Sequence, residues 1–225
     1  MTVAWIMRGL ARAIDGLDMP IVEKIAEEQQ EDAFQVLIAT LLSARTQDAT
    51  TAAASARLFK RAPTARRMAA LTVREISALI YPVSFFRTKA KHVKETCRIL
   101  LDRFGGKVPG TMEELLTLPG VGRKTANLVL ILGFKSLRNI CVDTHVHRIS
   151  NRLGWVVTKT PEETEQALYK NITARWWPYI NLYLVTWGQN VCRPISPRCG
   201  ECVIAARCPR IGVTGRASGP SSSTT

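Results

Sequence analysis

The chain has 225 residues, enough for one large or two modest domains with a true hydrophobic core. Its 31 Lys and Arg against 18 Asp and Glu leave a net charge of +13, which points to a polyanionic partner, nucleic acid first. A membrane is the poorer fit: no apolar run approaches the roughly 20 residues of a spanning helix, and no lysine-rich amphipathic segment stands apart from the core pattern.

The opening MTVAWIMRGLARAIDGL is broken by charges and has no small-residue cleavage site, so it is not expected to be a secretory signal. An intracellular, reducing setting is expected, the cytoplasm or nucleoid in a prokaryote. In EDAFQVLIATLLSA, Phe34, Leu37, Ile38, Leu41 and Leu42 recur at helical spacing. TVREISALI opens with Thr72 and Glu75 placed for a capping box. RTKAKHVKETCRILLDRF is expected to stop at Gly105-Gly106, and TMEELLTL to start at Thr111 with Glu114 behind it. Pro119-Gly120-Val121-Gly122 then makes a tight turn into the helix RKTANLVLILGF. After the short apolar stretch Ile140-Cys141-Val142, Asp143 caps a helix running to Gly154. TPEETEQALYK has Thr160 as N-cap, Pro161 in the first position and Glu163 in the third. No alternating strand pattern and no fixed-period repeat survive, so the class is all-α. The tail TGRASGPSSSTT is too polar and Ser/Gly-rich to fold.

Three clusters carry chemistry. The first is LPGVGRKTANLVL, where consecutive amides of Gly120, Val121, Gly122 and Arg123 at a helix start suit a DNA phosphate read without regard to sequence. A plain helical hairpin with a glycine turn accounts for the same residues. Lys124 lies at the beginning of that helix, where burial and the positive helix end both disfavour its charge, so it is either an ordinary solvated lysine or one meant to lose a proton. The second is VDTHVHRISNRLGW, beginning 19 residues later at Asp143. Beyond capping, a carboxylate fixed at a helix start is placed to accept a proton or face a developing cation. His145 and His147 have no third partner at ligand spacing, so phosphate contact or a helix surface suits them better than metal binding.

The third is the set Cys192, Cys199, Cys202 and Cys208, spaced C-x6-C-x2-C-x5-C within 17 residues that hold Pro194 and Pro197 and little apolar bulk. Such a loop needs a metal centre to order it. Zinc ligands usually arrive as two short pairs, often with histidine, whereas only Cys199 and Cys202 are paired here, so an iron–sulfur cluster is favoured over zinc. A disulfide framework belongs to secreted chains. Cys97 and Cys141 read as small buried thiols.

LPGVGRKTAN, then VDTH with Arg148, then the four-cysteine loop, in that order, resemble the endonuclease III family of bifunctional DNA glycosylases in the helix–hairpin–helix superfamily, from about residue 30 to Cys208. The resemblance implies two helical domains with a DNA-binding cleft between them. One, residues 26–136, would be a six-helix barrel carrying the hairpin; the other, residues 1–25 with 137–211, would hold a [4Fe-4S] cluster, leaving 212–225 as the unfolded tail. By matched position Lys124 is the nucleophile and Asp143 the family's carboxylate. The implied reaction is removal of oxidised or ring-saturated pyrimidines from duplex DNA through a lysine imine, followed by strand cleavage by β-elimination. The expected partner is double-stranded DNA holding damaged bases or abasic sites, bound by a monomer.

Two positions depart from the best-known relatives. Arg45 stands in LLSARTQD where they have glutamine, and Ser84-Phe85 in PVSFFRTKA where they have glycine and leucine. Both belong to the family's void-filling apparatus, so Arg45 is expected to plug the hole left by a flipped nucleotide and Phe85 to wedge between base steps. The alternatives are a phosphate grip by Arg45 and core packing of Phe85. Arg193 and Arg198 flank the first cysteine span, placed to meet phosphate. Two other functions remain open, a monofunctional glycosylase for another lesion and a non-catalytic DNA-binding iron–sulfur protein; Lys124 argues against both.

Overall fold

The computed structural model describes residues 3–30 and 32–213. Most of the expected unfolded tail lies outside these residues. In chain order the helices are α1 (Val3–Ala13), α2 (Ile21–Glu28), α3 (Ala33–Ser43), α4 (Asp48–Arg61), α5 (Ala65–Ala70), α6 (Val73–Ile80), α7 (Phe86–Phe104), α8 (Met112–Leu115), α9 (Arg123–Phe134), α10 (Thr144–Arg152), α11 (Pro161–Asn171) and α12 (Trp177–Asn190). Short 3-10 turns complete the list, and no strand occurs among the described residues. None of these helices is long and apolar enough to cross a membrane.

Local chemistry sets most helix starts. Asp32, Thr64, Thr72, Thr111, Asp143 and Thr160 each accept a backbone N–H two or three residues on, and Thr72 with Glu75 closes the expected capping box. Gly105, with φ 61°, ends α7 as expected. TMEELLTL yields a shorter helix than its apolar spacing suggests. Thr117 N–H and Leu118 N–H bond back three residues, to Glu114 and Leu115, tightening the last turn before Pro119.

The chain divides into two units. Pro20–Asn139 contains six helices of eight or more residues and the two short ones, α5 and α8. Its centre is α3, apolar nearly all round, which buries eight of its eleven residues against α2, α4, α7 and α9. Gly133 of α9 lies so close to the start of α3 that a Cβ there would stand 2.8 Å from Ala33 Cα.

The other unit joins the residues up to Met19 with those from Ile140 onward. Ile6, Met7 and Leu10 of α1 pack with Val146 and Ile149 of α10 and Ile180 and Leu184 of α12. The stretch Ile140-Cys141-Val142 is a buried extended link. It is pinned by the Tyr169 hydroxyl, which accepts from Ile140 N–H at 3.0 Å, and by Asn181, which donates to Cys141 O at 3.2 Å.

The unit boundaries therefore fall at 19/20 and 139/140, not at 25/26 and 136/137. The first expected boundary would cut α2. That helix buries Val22, Ile25 and Ala26, packs on α3, α4 and α9, and is tied to α4 by Ile21 N–H donating to Asp48 Oδ2 at 3.2 Å.

Candidate functional site

The glycine turn holds the start of α9 in a particular way. Gly120 has φ +77°, and a Cβ there would meet His92 Nδ1 at 2.6 Å and Leu41 Cδ2 at 3.3 Å, so a left-handed backbone and a close approach both require glycine. Val121 is buried and its N–H donates to Leu118 O at 3.1 Å. That corrects one expectation: Val121 anchors the turn, and its amide is already engaged instead of waiting for an anion. Gly122 is the N-cap of α9 and offers no side-chain oxygen to the first N–H groups of that helix, unlike the Thr- and Asp-capped starts elsewhere. Arg123 and Lys124 occupy the first two helical positions and both are exposed. The expected burial of Lys124 does not hold, because the buried face of α9 begins at Ala126 and Asn127. An exposed amine beside an uncapped helix N-terminus suits phosphate contact and nucleophilic attack on a phosphate-flanked sugar.

Arg45 and Phe85 lie in the same unit, at the tips of two neighbouring loops. Both adopt left-handed backbone, φ 55° and 56°, and the Arg45 guanidinium sits 6.0 Å from the Phe85 ring centroid. Phe85 is 63% exposed, which removes the core-packing alternative.

In the other unit, Asp143 caps α10 as expected, its Oδ1 accepting from His145 N–H at 2.8 Å and Val146 N–H at 2.9 Å. His145 is half-buried; its Nδ1 lies 3.1 Å from Arg148 Nη2, and its ring packs against Gly188. His147 is engaged with Thr164 Oγ1 at 2.6 Å.

None of the six cysteines is in a disulfide. Cys192, Cys199, Cys202 and Cys208 line one cavity whose other walls are largely apolar, Ile149, Leu153, Trp187 and Ile204 among them, together with Arg152, Arg198 and Arg210. No three His, Cys, Asp or Glu side chains among the described residues converge on a single-ion site. Burial pushes the Cys202 and Cys208 thiols up, and the neighbouring thiols add to it. The Trp187 indole N–H is buried without a hydrogen-bond partner of ordinary geometry, although it stands close enough to Cys202 to favour its thiolate. Four thiols around a largely apolar cavity, with a spare donor on its wall, fit a cationic multi-atom group held by thiolates.

Sequence reasoning passed over Arg152, whose guanidinium is buried. It donates to Cys192 Sγ at 3.4 Å, Arg193 O at 2.7 Å and Pro194 O at 2.8 Å, while Arg148 donates to Cys192 O at 2.9 Å. The available signal was their i, i+4 spacing on α10, which places two arginines on one face. Arg193 and Arg198 are exposed, as a phosphate contact requires, but Arg198 also lies 3.5 Å from Glu201.

The profile described as HhH-GPD superfamily base excision DNA repair protein matches residues 38–174. Endonuclease III of Thermotoga maritima is 47% identical over 196 residues, covering 87% of this chain and 92% of that protein. Among solved structures, a non-covalent endonuclease III–DNA complex superposes with TM-score 0.81 at 31% identity, covering 92% of this chain and 94% of that one. A trapped endonuclease III–DNA covalent intermediate, an estranged-adenine complex, gives TM-score 0.74 at 35% identity, covering 80% of this chain and 84% of that one. The fold, the glycine hairpin with its lysine and these similarities together establish that the chain belongs to the endonuclease III family of base excision repair DNA glycosylases with lyase activity, within the HhH-GPD superfamily.

Proposed function

We propose that this chain removes oxidised or ring-saturated pyrimidines from duplex DNA and cleaves the abasic strand, with Lys124 as nucleophile. The observation that carries the reading is the exposed primary amine in the second position of α9, directly after an N-terminus with no side-chain cap. The amine lone pair attacks the anomeric carbon of a flipped nucleotide, and the glycosidic electron pair leaves with the base, which takes up a proton. Loss of the amine proton and opening of the sugar ring give the imine. The iminium acidifies the adjacent sugar carbon, which gives up its proton to water as the next carbon–oxygen bond breaks and the 3′ phosphate leaves with the electron pair. Asp143 accepts the amine proton and faces the developing positive charge. The trapped covalent intermediate of an endonuclease III with DNA, at 35% identity, supports a covalent enzyme–DNA step.

The amides of Gly122 and Arg123, in the turn fixed by Gly120 and Val121, hold a phosphate next to the reacting sugar. His145, Arg193 and Arg198 add backbone contacts. Arg45 fills the hole left by the flipped nucleotide, and Phe85 wedges the neighbouring step. Cys192, Cys199, Cys202 and Cys208 hold a [4Fe-4S] cluster. When bound, that group would supply a fixed framework that orders the basic loop, with no redox part in the reaction. The protein acts on damaged or abasic duplex DNA as a monomer, inside the cell.

Borohydride treatment tests the nucleophile. Wild type is expected to become covalently trapped on lesion DNA, and Lys124→Ala to lose trapping while retaining most of its affinity for the same duplex. Equal trapping by the Ala variant would remove Lys124 from this role. Base release without strand cleavage by wild type would favour a monofunctional glycosylase. Iron and sulfide analysis of protein purified without oxygen decides the metal: one equivalent of zinc without iron would overturn the cluster.

A further inference from the structure

Lys89, in the first turn of α7, is 8% exposed. Its ammonium donates to Leu42 O at 2.7 Å, to Ala44 O at 2.6 Å and to Thr46 Oγ1 at 3.1 Å. Two of these acceptors are carbonyls at the C-terminal end of α3, where orphan oxygens and the negative end of the helix dipole favour a cation. Burial pushes the Lys89 amine down to about 8, so at neutral pH it remains mostly protonated and can donate all three bonds.

Thr46 completes a cross-link. Its hydroxyl accepts from Lys89 and from Ser84 N–H at 3.2 Å, and donates to Ala44 O at 3.3 Å, using both lone pairs and its one proton. Arg45 lies between the two pinned residues Ala44 and Thr46, and Phe85 directly follows the pinned Ser84. Arg45 and Phe85 both hold left-handed backbone, which is unfavourable for residues with a Cβ and persists only where the surroundings enforce it. The pins account for that enforcement on both loops at once, and they leave the two side chains exposed with the guanidinium beside the ring.

We infer that Lys89, working through Thr46, is a positioning residue that locks the Arg45 and Phe85 tips into one arrangement before DNA arrives. The inference rests on the reading above that this pair fills and wedges the damaged duplex. Pre-ordering two long, exposed side chains removes an ordering cost that would otherwise fall on the binding step. Selectivity for a duplex with a hole should therefore depend on a lysine that touches neither DNA nor the reacting sugar.

The test uses the full chain with two readouts. One is the affinity ratio between a duplex carrying a stable abasic analogue and the same duplex undamaged. The other is tryptic cleavage after Arg45 in the protein without DNA, followed by mass spectrometry. Lys89→Met and Thr46→Val are each expected to lower the affinity ratio on the order of tenfold, with undamaged-duplex affinity within about twofold of wild type. Both should also speed cleavage after Arg45, whereas Thr46→Ser, which keeps the hydroxyl, should behave as wild type. If Lys89→Met does not fold, Thr46→Val with a wild-type melting curve decides alone. Arg45→Ala and Phe85→Ala run in parallel separate the two ideas. A ratio that falls in those variants but not in Thr46→Val or Lys89→Met overturns the positioning role and leaves the hole-filling pair intact. A ratio unchanged in Arg45→Ala and Phe85→Ala overturns the pair, and the positioning role with it.

Discussion

Asp143 caps α10 and, in the function proposed above, also takes a proton, and the two duties separate cleanly by substitution. Its Oδ1 accepts two backbone N–H groups at the start of α10. Asparagine retains a carbonyl oxygen for that bond but cannot take a proton or stabilise a cation as a carboxylate does. Asp143→Asn is expected to melt close to wild type and to release base far more slowly under single-turnover conditions. Asp143→Ala should be slow as well and lose about 1 kcal/mol of stability as the cap disappears. Equal single-turnover rates in wild type and Asp143→Asn would return the residue to capping alone. At this scale the sequence exposes which residues carry chemistry better than how they are housed. The order Gly-Val-Gly-Arg-Lys singles out Lys124, yet its exposure follows from where the buried face of α9 begins, and that is set by α3. Lys89 was illegible because nothing local marks a lysine in an amphipathic helix as buried. Only the fold brings the carbonyl end of α3, 47 and 45 residues away, to its amine.

Helix starts and stops were the most legible elements, since a Thr or Asp cap with Glu three residues on satisfies orphan N–H groups through neighbours in sequence. The shortness of α8 and the place of α2 were not, because both depend on packing and turn bonds beyond the local pattern. The glycine turn before α9 combines local and tertiary demands, and this makes Gly120 a sharp probe of it. Gly120→Ala meets a left-handed backbone, which alone costs about 1–2 kcal/mol, and its methyl would also press on His92 and Leu41. The variant should melt several degrees lower, since about 1 kcal/mol moves a chain of this size by roughly 2–4 °C. Its affinity for undamaged and lesion duplexes should fall together, because a phosphate held by main-chain amides is indifferent to the base. Gly122→Ala, at φ −100° with no atom within 4 Å of a new Cβ, is the control for backbone strain and should lose only about 0.5 kcal/mol, from the weaker N-cap preference of alanine. A Gly120→Ala protein with unchanged DNA affinity would take the hairpin out of the interface.

On the scale of the whole molecule, the excess of 13 positive charges predicts a salt-dependent, counterion-release contribution to DNA binding that is common to all lesions. The cysteine loop contributes to this only if its arginines reach phosphate. Arg152 donates to the Arg193 carbonyl, and the Arg193 side chain is exposed, while Arg198 lies 3.5 Å from Glu201. Both members of that ion pair are about half exposed or more, so the pair is weak and is readily given up to a phosphate. Replacing Arg193 by alanine should therefore lower the slope of log affinity against log salt by up to about one unit, the loss of one phosphate contact. Arg198→Ala removes a contact and also leaves Glu201 uncompensated beside the DNA, so its affinity should fall further than that of Arg193→Ala. Adding Glu201→Gln to Arg198→Ala should recover the excess loss and leave a slope change matching a single contact. The measurement is binding to undamaged duplex between low and moderate salt, with iron content checked in every variant. Slopes equal to wild type across the set, with iron retained, would show that this loop orders the protein without touching its substrate.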